Sequence, residues 1–324
     1  MTQADPCPAR LTVPTLHVTG GTPLLAAFAS GAMVAAQQRI NGDLGSLLDD
    51  PLLAAVVSFS VGLVVVSLLL ATLPRSRARL RPLKDVPWWS MLGGLGGASM
   101  VAAGATAAPL IGVAPLTVGL VAGSTVGGLL VDRIGLGPGG MRPLTAPRMA
   151  GAVLCLAAIG VSAAGGVHGG RPLLLVLVVL AGALTSFQQA VNGRVRYATD
   201  ALVATFVNFV VGTAGLLVGL GLHALLAGVH ARAWPDLQHW HLYLGGPLGA
   251  SFVFVAALTV RRLGVLRLAL AVTAGQIIGA VPLDLGRGVA LTTVVAAALT
   301  LVAVAISGRA SRAPDAGPAG AVTG

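Results

Sequence analysis

The feature of this chain that most restricts its fold is an amide-rich hexapeptide that occurs twice. Residues 37–42 read QQRING at the end of one apolar stretch, and residues 188–193 read QQAVNG at the end of another, 151 positions later. An amide in an apolar segment costs free energy unless it finds a hydrogen-bond partner. Because this costly group recurs at matching places, the sequence predicts an internally duplicated membrane protein with a polar centre.

The composition predicts an all-α membrane protein. Of 324 residues, 56% are hydrophobic and only 9% are charged, and the mean hydropathy is +0.90. Long apolar stretches with few charges are typical of membrane-spanning helices. Divided at its charged and Pro/Gly-rich breaks, the chain yields ten predicted transmembrane helices. They lie near 22–41, 51–73, 88–107, 109–131, 147–166, 172–193, 201–223, 241–260, 264–283 and 288–307.

The duplication extends along most of the chain. Further matched blocks follow in the same order: 50–54 with 200–204, 58–62 with 208–212, 93–99 with 245–251, and 122–127 with 274–279. Each half holds five predicted helices, and an odd number inserts the second half in the opposite orientation. Two inverted five-helix repeats are an architecture of secondary transporters. The other interpretation is a structural or regulatory membrane subunit that kept a duplicated fold. The predicted organisation is a cytoplasmic tail (1–21), two repeats (22–167 and 168–307) and a disordered cytoplasmic tail (308–324).

The matched blocks resemble a known family. Each half shows Gln-x-x-x-Asn ending its first helix, then Phe-x-x-Gly, Gly-Gly-x-x-Gly-Ala, and Ala-Gly-x-x-x-Gly before an aspartate. This pattern resembles the YdcZ-like family of the drug/metabolite transporter (DMT) superfamily, here in tandem-duplicated form. The resemblance implies a DMT/EamA-like bundle in which four helices per half surround a central cavity and the fifth packs outside. The resemblance does not identify a substrate; the predicted function is transport of a small polar or amphipathic metabolite or drug by alternating access, with export as the expected direction. One departure is Ser124, which stands opposite Gln276 of the second half.

The amides are the candidate substrate-binding residues. At spacings of three and four they share one face of a helix in each repeat. They form either a hydrogen-bonding rim for a polar solute or ties between packed helices, since Asn and Gln commonly bond across helix interfaces. Asn208 and Gln276 are polar residues in later apolar spans. The predicted set is Gln37, Gln38, Asn41, Gln188, Gln189, Asn192, Asn208 and Gln276.

The acidic residues indicate whether transport is coupled to protons. The chain contains no glutamate, whereas proton-coupled relatives of the small multidrug type use one in the first helix. Asp132 and Asp284, at the ends of apolar spans, are the candidate coupling carboxylates, and the neighbouring Arg133 and Arg287 favour their ionised form. We therefore predict no exchange driven by a central carboxylate, and a preference for neutral or zwitterionic solutes.

Basic residues predict topology rather than a nucleic-acid partner. With the amino terminus inside, sixteen of the twenty Lys and Arg residues fall on the cytoplasmic side. This distribution predicts a bacterial inner (plasma) membrane protein with both termini cytoplasmic. The expected partners are membrane lipid and a small-molecule substrate, and a homodimer is left open. Neither the two cysteines nor the histidines have metal-site spacing, and no enzymatic motif or cofactor signature occurs.

Overall fold

The computed structural model describes residues 22–137, 140–141, 143–164, 172–227, 234–285 and 291–309. Within these ranges the chain is helical and contains no β-strand, which confirms the all-α prediction. Short 3-10 helices occur at Arg81–Asp85, Trp88–Leu92 and Leu237–Leu244. The α-helices are α1 (Thr22–Leu48), α2 (Pro51–Thr72), α3 (Pro74–Ala78), α4 (Gly93–Ile111), α5 (Val113–Ile134), α6 (Ala146–Ala164), α7 (Pro172–Ala198), α8 (Ala201–Ala227), α9 (Gly245–Asp284) and α10 (Leu291–Arg309).

Five helical stretches are long and apolar enough to cross a membrane. They are Pro51–Thr72, Trp88–Ile111, Val113–Ile134, Leu173–Ala198 and Ala201–Leu226 in the described part of the chain. Shorter apolar stretches run through α6 and α10. The predicted first span, 22–41, is part of α1, which continues to Leu48 and carries the first amides and Arg39. Those polar residues lower the hydropathy of α1.

Matching residues of the two halves begin two helices. Asp50 caps α2, and its Oδ1 accepts the backbone N–H groups of Leu52 and Leu53, both at 2.9 Å. Asp200 Oδ1 accepts the N–H of Val203 at 2.8 Å at the start of α8. An Asp in this position satisfies backbone donors that the first helical turn leaves free. The repeat seen in the sequence is therefore reproduced in local structure.

The break between α4 and α5 comes later than predicted. The predicted helices 88–107 and 109–131 run together through Pro109, and in the structure Pro109 lies inside α4, which ends at Ile111. The chain bends at Gly112, whose φ of +86° lies in the region that favours glycine.

The predicted helices 241–260 and 264–283, which run together through Arg261 and Arg262, lie almost entirely in one continuous helical segment, α9 (Gly245–Asp284). A straight helix of 40 residues would be about 60 Å long. Yet both ends of α9 meet the same end of α1: Gly245 lies against Asn41, and Arg39 Nη1 donates to the Leu283 carbonyl at 3.2 Å. The segment α9 therefore doubles back on itself and passes α1 twice.

The helices of the two halves interlock in a reciprocal pattern. Helix α1 packs along α9, and α7 packs along α4 and α5. Helices α2 and α8 pack on each other, where the rings of Phe59 and Phe209 have centroids 5.0 Å apart. Helix α6 packs on α10 and on α5, and α10 packs also on α9 and α5. Exchanging the halves reproduces most of these contacts, but among the residues that the structure describes the contact of α10 with α5 has no comparable counterpart between α6 and α9.

Candidate functional site

Three amides of the second half form a closed hydrogen-bonded cluster, the second amide cluster. Gln188 and Asn192 lie one turn apart on α7, and Asn208 lies on α8. Asn208 Oδ1 accepts from Gln188 Nε2 at 2.8 Å and from Asn192 Nδ2 at 2.9 Å. Asn208 is only 2% exposed. A single buried acceptor thus ties two donors across the α7–α8 interface.

The equivalent residues of the first half, Gln37 and Asn41 on α1 and Ser58 on α2, form the first amide cluster. Their exposed fractions are 4%, 0% and 1%. Among the described residues, Gln37 Oε1, both amide atoms of Asn41 and Ser58 Oγ have no hydrogen-bond partner. A buried polar group without a partner costs about 1–3 kcal/mol. The two clusters therefore occupy matching places but differ in their hydrogen bonding.

Each amide cluster rests on a pair of glycines from the opposite half. Gly93 and Gly97 of α4 lie against Asn192 and Gln188, and a Cβ at Gly97 would be 2.6 Å from Gln188 Nε2. Gly245 lies against Asn41, and a Cβ at Gly249 would be 2.5 Å from Gln37 Nε2. From the sequence, these Gly-x-x-x-Gly pairs indicate only close helix packing. In the structure these glycines also contact the amides. The two glycines of each pair and the two amides of each cluster are both four residues apart, which could have indicated this contact.

An aromatic pair adjoins the second amide cluster. Phe59 lies on α2 next to Ser58, and Phe209 lies on α8 next to Asn208. A Cβ at Gly97, which seats Gln188, would be 3.4 Å from the ring of Phe59. Each ring also rests on a glycine of the opposite half, Phe59 on Gly212 and Phe209 on Gly62. The sequence analysis did not assign this pair to the site, although its matched position beside the polar residues was visible.

The remaining predicted amides lie elsewhere. Gln38 is buried but points to Gly104 of α4, in its own half. Gln189 is exposed. Gln276 is half-buried on α9, where a Cβ at Gly31 of α1 would be 2.9 Å from its backbone nitrogen. The structure brings none of these three side chains into the hydrogen-bonded cluster, and their role in binding stays a prediction.

The two candidate coupling aspartates have partners other than the expected arginines. Asp132 pairs with Arg148 of α6 rather than with Arg133. Asp284 is 6% exposed, and its Oδ2 accepts the backbone N–H of Ala114 at 2.7 Å. Arg287 lies outside the described residues. Asp284 thus caps α5, a task that Gly112 cannot perform because it has no side chain.

In each half, one arginine of the first helix bonds to the end of a helix in the other half, forming an arginine tie. Arg39 of α1 donates to the Leu283 carbonyl and also pairs with Asp43 at 2.9 Å. Arg194 of α7 donates to the carbonyls of Leu136 at 2.6 Å and Gly135 at 3.1 Å, where α5 ends. Cations bind favourably at helix C-termini, where carbonyls lack partners within the helix. Arg194 also lies 5.2 Å from the ring centroid of Trp89.

The histidine-rich segment shows a local contact only. His239 Nδ1 lies 2.6 Å from Asp236 Oδ1, which also accepts two backbone N–H groups of the 3-10 helix. The side-chain hydrogen bond with His239 is the main cause that lowers the pKa of Asp236. Within the described ranges, no group of three metal-ligating side chains occurs.

Two interlocked halves with matched polar clusters define a membrane protein of the duplicated-transporter class. The profile of the family described as "Putative inner membrane exporter, YdcZ" matches residues 22–161 and again residues 173–308. The chain therefore belongs to the YdcZ family, in tandem-duplicated form, and is a multi-pass inner-membrane transporter protein. No curated protein matches it.

Proposed function

We propose that this protein exports a small polar or amphipathic solute by alternating access between two inverted five-helix repeats. The observation that carries the proposal is the reciprocal seating of amides on glycines. Asn41 and Gln37 of the first half rest on Gly245 and Gly249, as Asn192 and Gln188 of the second half rest on Gly93 and Gly97. Contacts that survive exchange of the halves support a pseudo-two-fold axis. With five spans per half, that axis lies in the membrane plane.

The count of ten spans rests on α9. Because α9 passes α1 twice, it supplies the third and fourth spans of the second half, as α4 and α5 do in the first. Helices α6 and α10 are then the fifth spans. The positive-inside distribution places both termini in the cytoplasm. The carboxyl ends of α5 and α9 consequently face opposite sides of the membrane.

The placement of the arginine ties supports alternating access. The Arg194 tie joins the repeats where α5 ends, and the Arg39 tie joins them where α9 ends. These sites lie on opposite membrane faces in the proposed topology. Release of one tie while the other holds would open the interface to one side. The glycine-lined contacts between the repeats can separate without rearranging large side chains.

The polar groups available support the proposed solute class. Amides and a serine hydroxyl offer donors and acceptors without net charge. Asp132 is engaged by Arg148, and Asp284 caps α5. A lipophilic cation would find no counter-charge among the amides and the serine hydroxyl, whereas a neutral or zwitterionic solute needs none. Buried amides between the repeats are the groups proposed to contact it.

Efflux from proteoliposomes tests the proposal. Liposomes containing the purified protein are loaded with glycine betaine, L-glutamine, xylitol and ethidium, and protein-free liposomes serve as the control. We expect faster release of at least one of the first three solutes and no faster release of ethidium. If none of the four leaves faster than from the control, the protein is a structural or regulatory subunit and the transport proposal is wrong.

A further inference from the structure

The two amide clusters differ at one position of the repeat. Gln37 matches Gln188 and Asn41 matches Asn192, but Ser58 stands where the second half has Asn208. Asn208 supplies the acceptor that binds both neighbouring amides. The serine hydroxyl is shorter, and Ser58 Oγ bonds neither Gln37 nor Asn41. A single residue difference thus separates a closed cluster from an open one.

The open cluster is nonetheless compact and buried. The side chains of Asn41 and Ser58 converge on one glycine, since a Cβ at Gly245 would collide with Asn41 Oδ1 and lie 3.1 Å from Ser58 Oγ. Gln37 rests on Gly249, one turn further along α9. At least one donor, Asn41 Nδ2, and two acceptors, Gln37 Oε1 and Asn41 Oδ1, have no partner among the described residues. Native proteins pair nearly all of their buried polar groups, so these atoms are available to a hydrogen-bonding ligand or to water.

We infer that the solute binds at the first amide cluster, through Gln37, Asn41 and Ser58, and that the second amide cluster is a structural tie. This inference rests on the proposed transport function and assigns its binding site. The first cluster recognises an uncharged group that both donates and accepts hydrogen bonds, such as a primary amide or a hydroxyl. In the second cluster, by contrast, Asn208 Oδ1 already accepts a hydrogen bond from each of the two neighbouring amides.

Exchanging Ser58 and Asn208 between the two halves gives the variants that test this inference. In Ser58→Asn, the new amide oxygen can bind Gln37 and Asn41 as Asn208 binds their counterparts. Gly246 lies against the Ser58 carbonyl as Gly94 lies against that of Asn208, so the backbone already accommodates asparagine in this setting. We expect Ser58→Asn to raise the midpoint of thermal unfolding and to reduce efflux roughly tenfold or more. The reciprocal Asn208→Ser should lower the midpoint and retain efflux per folded molecule.

The measurements are thermal unfolding of the full chain and efflux of the same four solutes. Should Ser58→Asn fail to fold, Asn41→Leu and Asn192→Leu test the inference instead. We expect Asn41→Leu to lose efflux and Asn192→Leu to lose mainly thermal stability. Equal loss of efflux in both, or wild-type efflux in folded Ser58→Asn, would overturn the inference.

The binding site and the transport proposal can fail separately. If wild-type protein releases none of the solutes, but L-glutamine or xylitol raises its unfolding midpoint and Ser58→Asn removes that effect, transport fails and the site stands. Absence of both efflux and thermal shift with all four solutes refutes both.

Discussion

At the scale of single residues, glycines decide how closely the two halves approach. The carbonyl of Asn208 occupies the space that a Cβ at Gly94 would need, and the carbonyl of Ser58 does the same at Gly246. Backbone atoms cannot rotate away as side-chain ends can. Any larger residue at either glycine must therefore push the α4–α8 or α2–α9 contact apart.

We expect Gly94→Ala and Gly246→Ala each to lower the free energy of unfolding by about 1–3 kcal/mol, a cost typical of overpacking. The matched control is Gly160→Ala in α6, where nothing lies within 4 Å of the Cβ position. The control should be neutral or gain up to about 1 kcal/mol from helix propensity. Thermal unfolding in one detergent compares all three, and equal stability of the three variants would contradict the close contact.

The sequence predicted where the amides lie but not which of them face the other half. The duplicated hexapeptides locate Gln37, Asn41, Gln188 and Asn192, because polar groups in apolar spans are conspicuous. Which neighbouring glutamine faces the other half was not predictable. A change of one residue rotates a helical side chain by about 100°, and the structure points Gln38 to Gly104 while Gln189 is exposed. Packing between distant helices decides this.

At the scale of elements, the first turn of α5 is capped by a residue far along the chain. Its N-cap position is Gly112, and the acceptor for Ala114 N–H comes from Asp284 at the end of α9. The sequence placed Asp284 at a helix end but interpreted it as a candidate coupling group. A cap supplied across 170 positions leaves no local signal. Only the fold brings these two residues together.

We expect Asp284→Ala to lower the free energy of unfolding by about 0.5–2 kcal/mol, as for other lost N-caps, and Asp284→Asn to lower it less because the amide oxygen still accepts. Asp50→Ala, which removes the local cap of α2, is the matched control of similar cost.

With Asp284 serving as a cap, efflux by Asp284→Asn and Asp132→Asn proteoliposomes should be unaffected by a pH gradient, as for wild type. Uphill transport of ethidium driven by a pH gradient and abolished by either change would make a carboxylate the coupling group.

At the scale of the whole molecule, the two arginine ties are distinct in sequence but equivalent in action. Arg39 and Arg194 are not matched positions of the repeat: the residue matching Arg39 is Ala190, one helical turn before Arg194. Each nevertheless donates to backbone carbonyls at the end of a helix in the opposite half, Arg39 at the end of α9 and Arg194 at the end of α5. The positive-inside distribution predicts that Arg194 lies towards the cytoplasm and Arg39 towards the outside.

Removal of one tie should open one face only. In a background without Cys7 and Cys155, Ala280→Cys and Val191→Cys report on buried positions of α9 and α7, each 0% exposed. Arg39→Ala loses its bond to Leu283 and should speed labelling of Ala280→Cys by an impermeant maleimide added outside. Arg194→Ala loses its bonds to Gly135 and Leu136 and should speed labelling of Val191→Cys from the cytoplasmic side, measured in inverted vesicles.

The surface positions His239→Cys and Arg79→Cys fix the sidedness of this labelling, and we expect them to react from outside and from inside, respectively. The reverse reactivity would invert the proposed topology. If either arginine change speeds labelling from both sides equally, the repeats have loosened as a whole. In that case the ties stabilise the fold rather than close separate faces, because a gate must change access from one side while the opposite side stays closed.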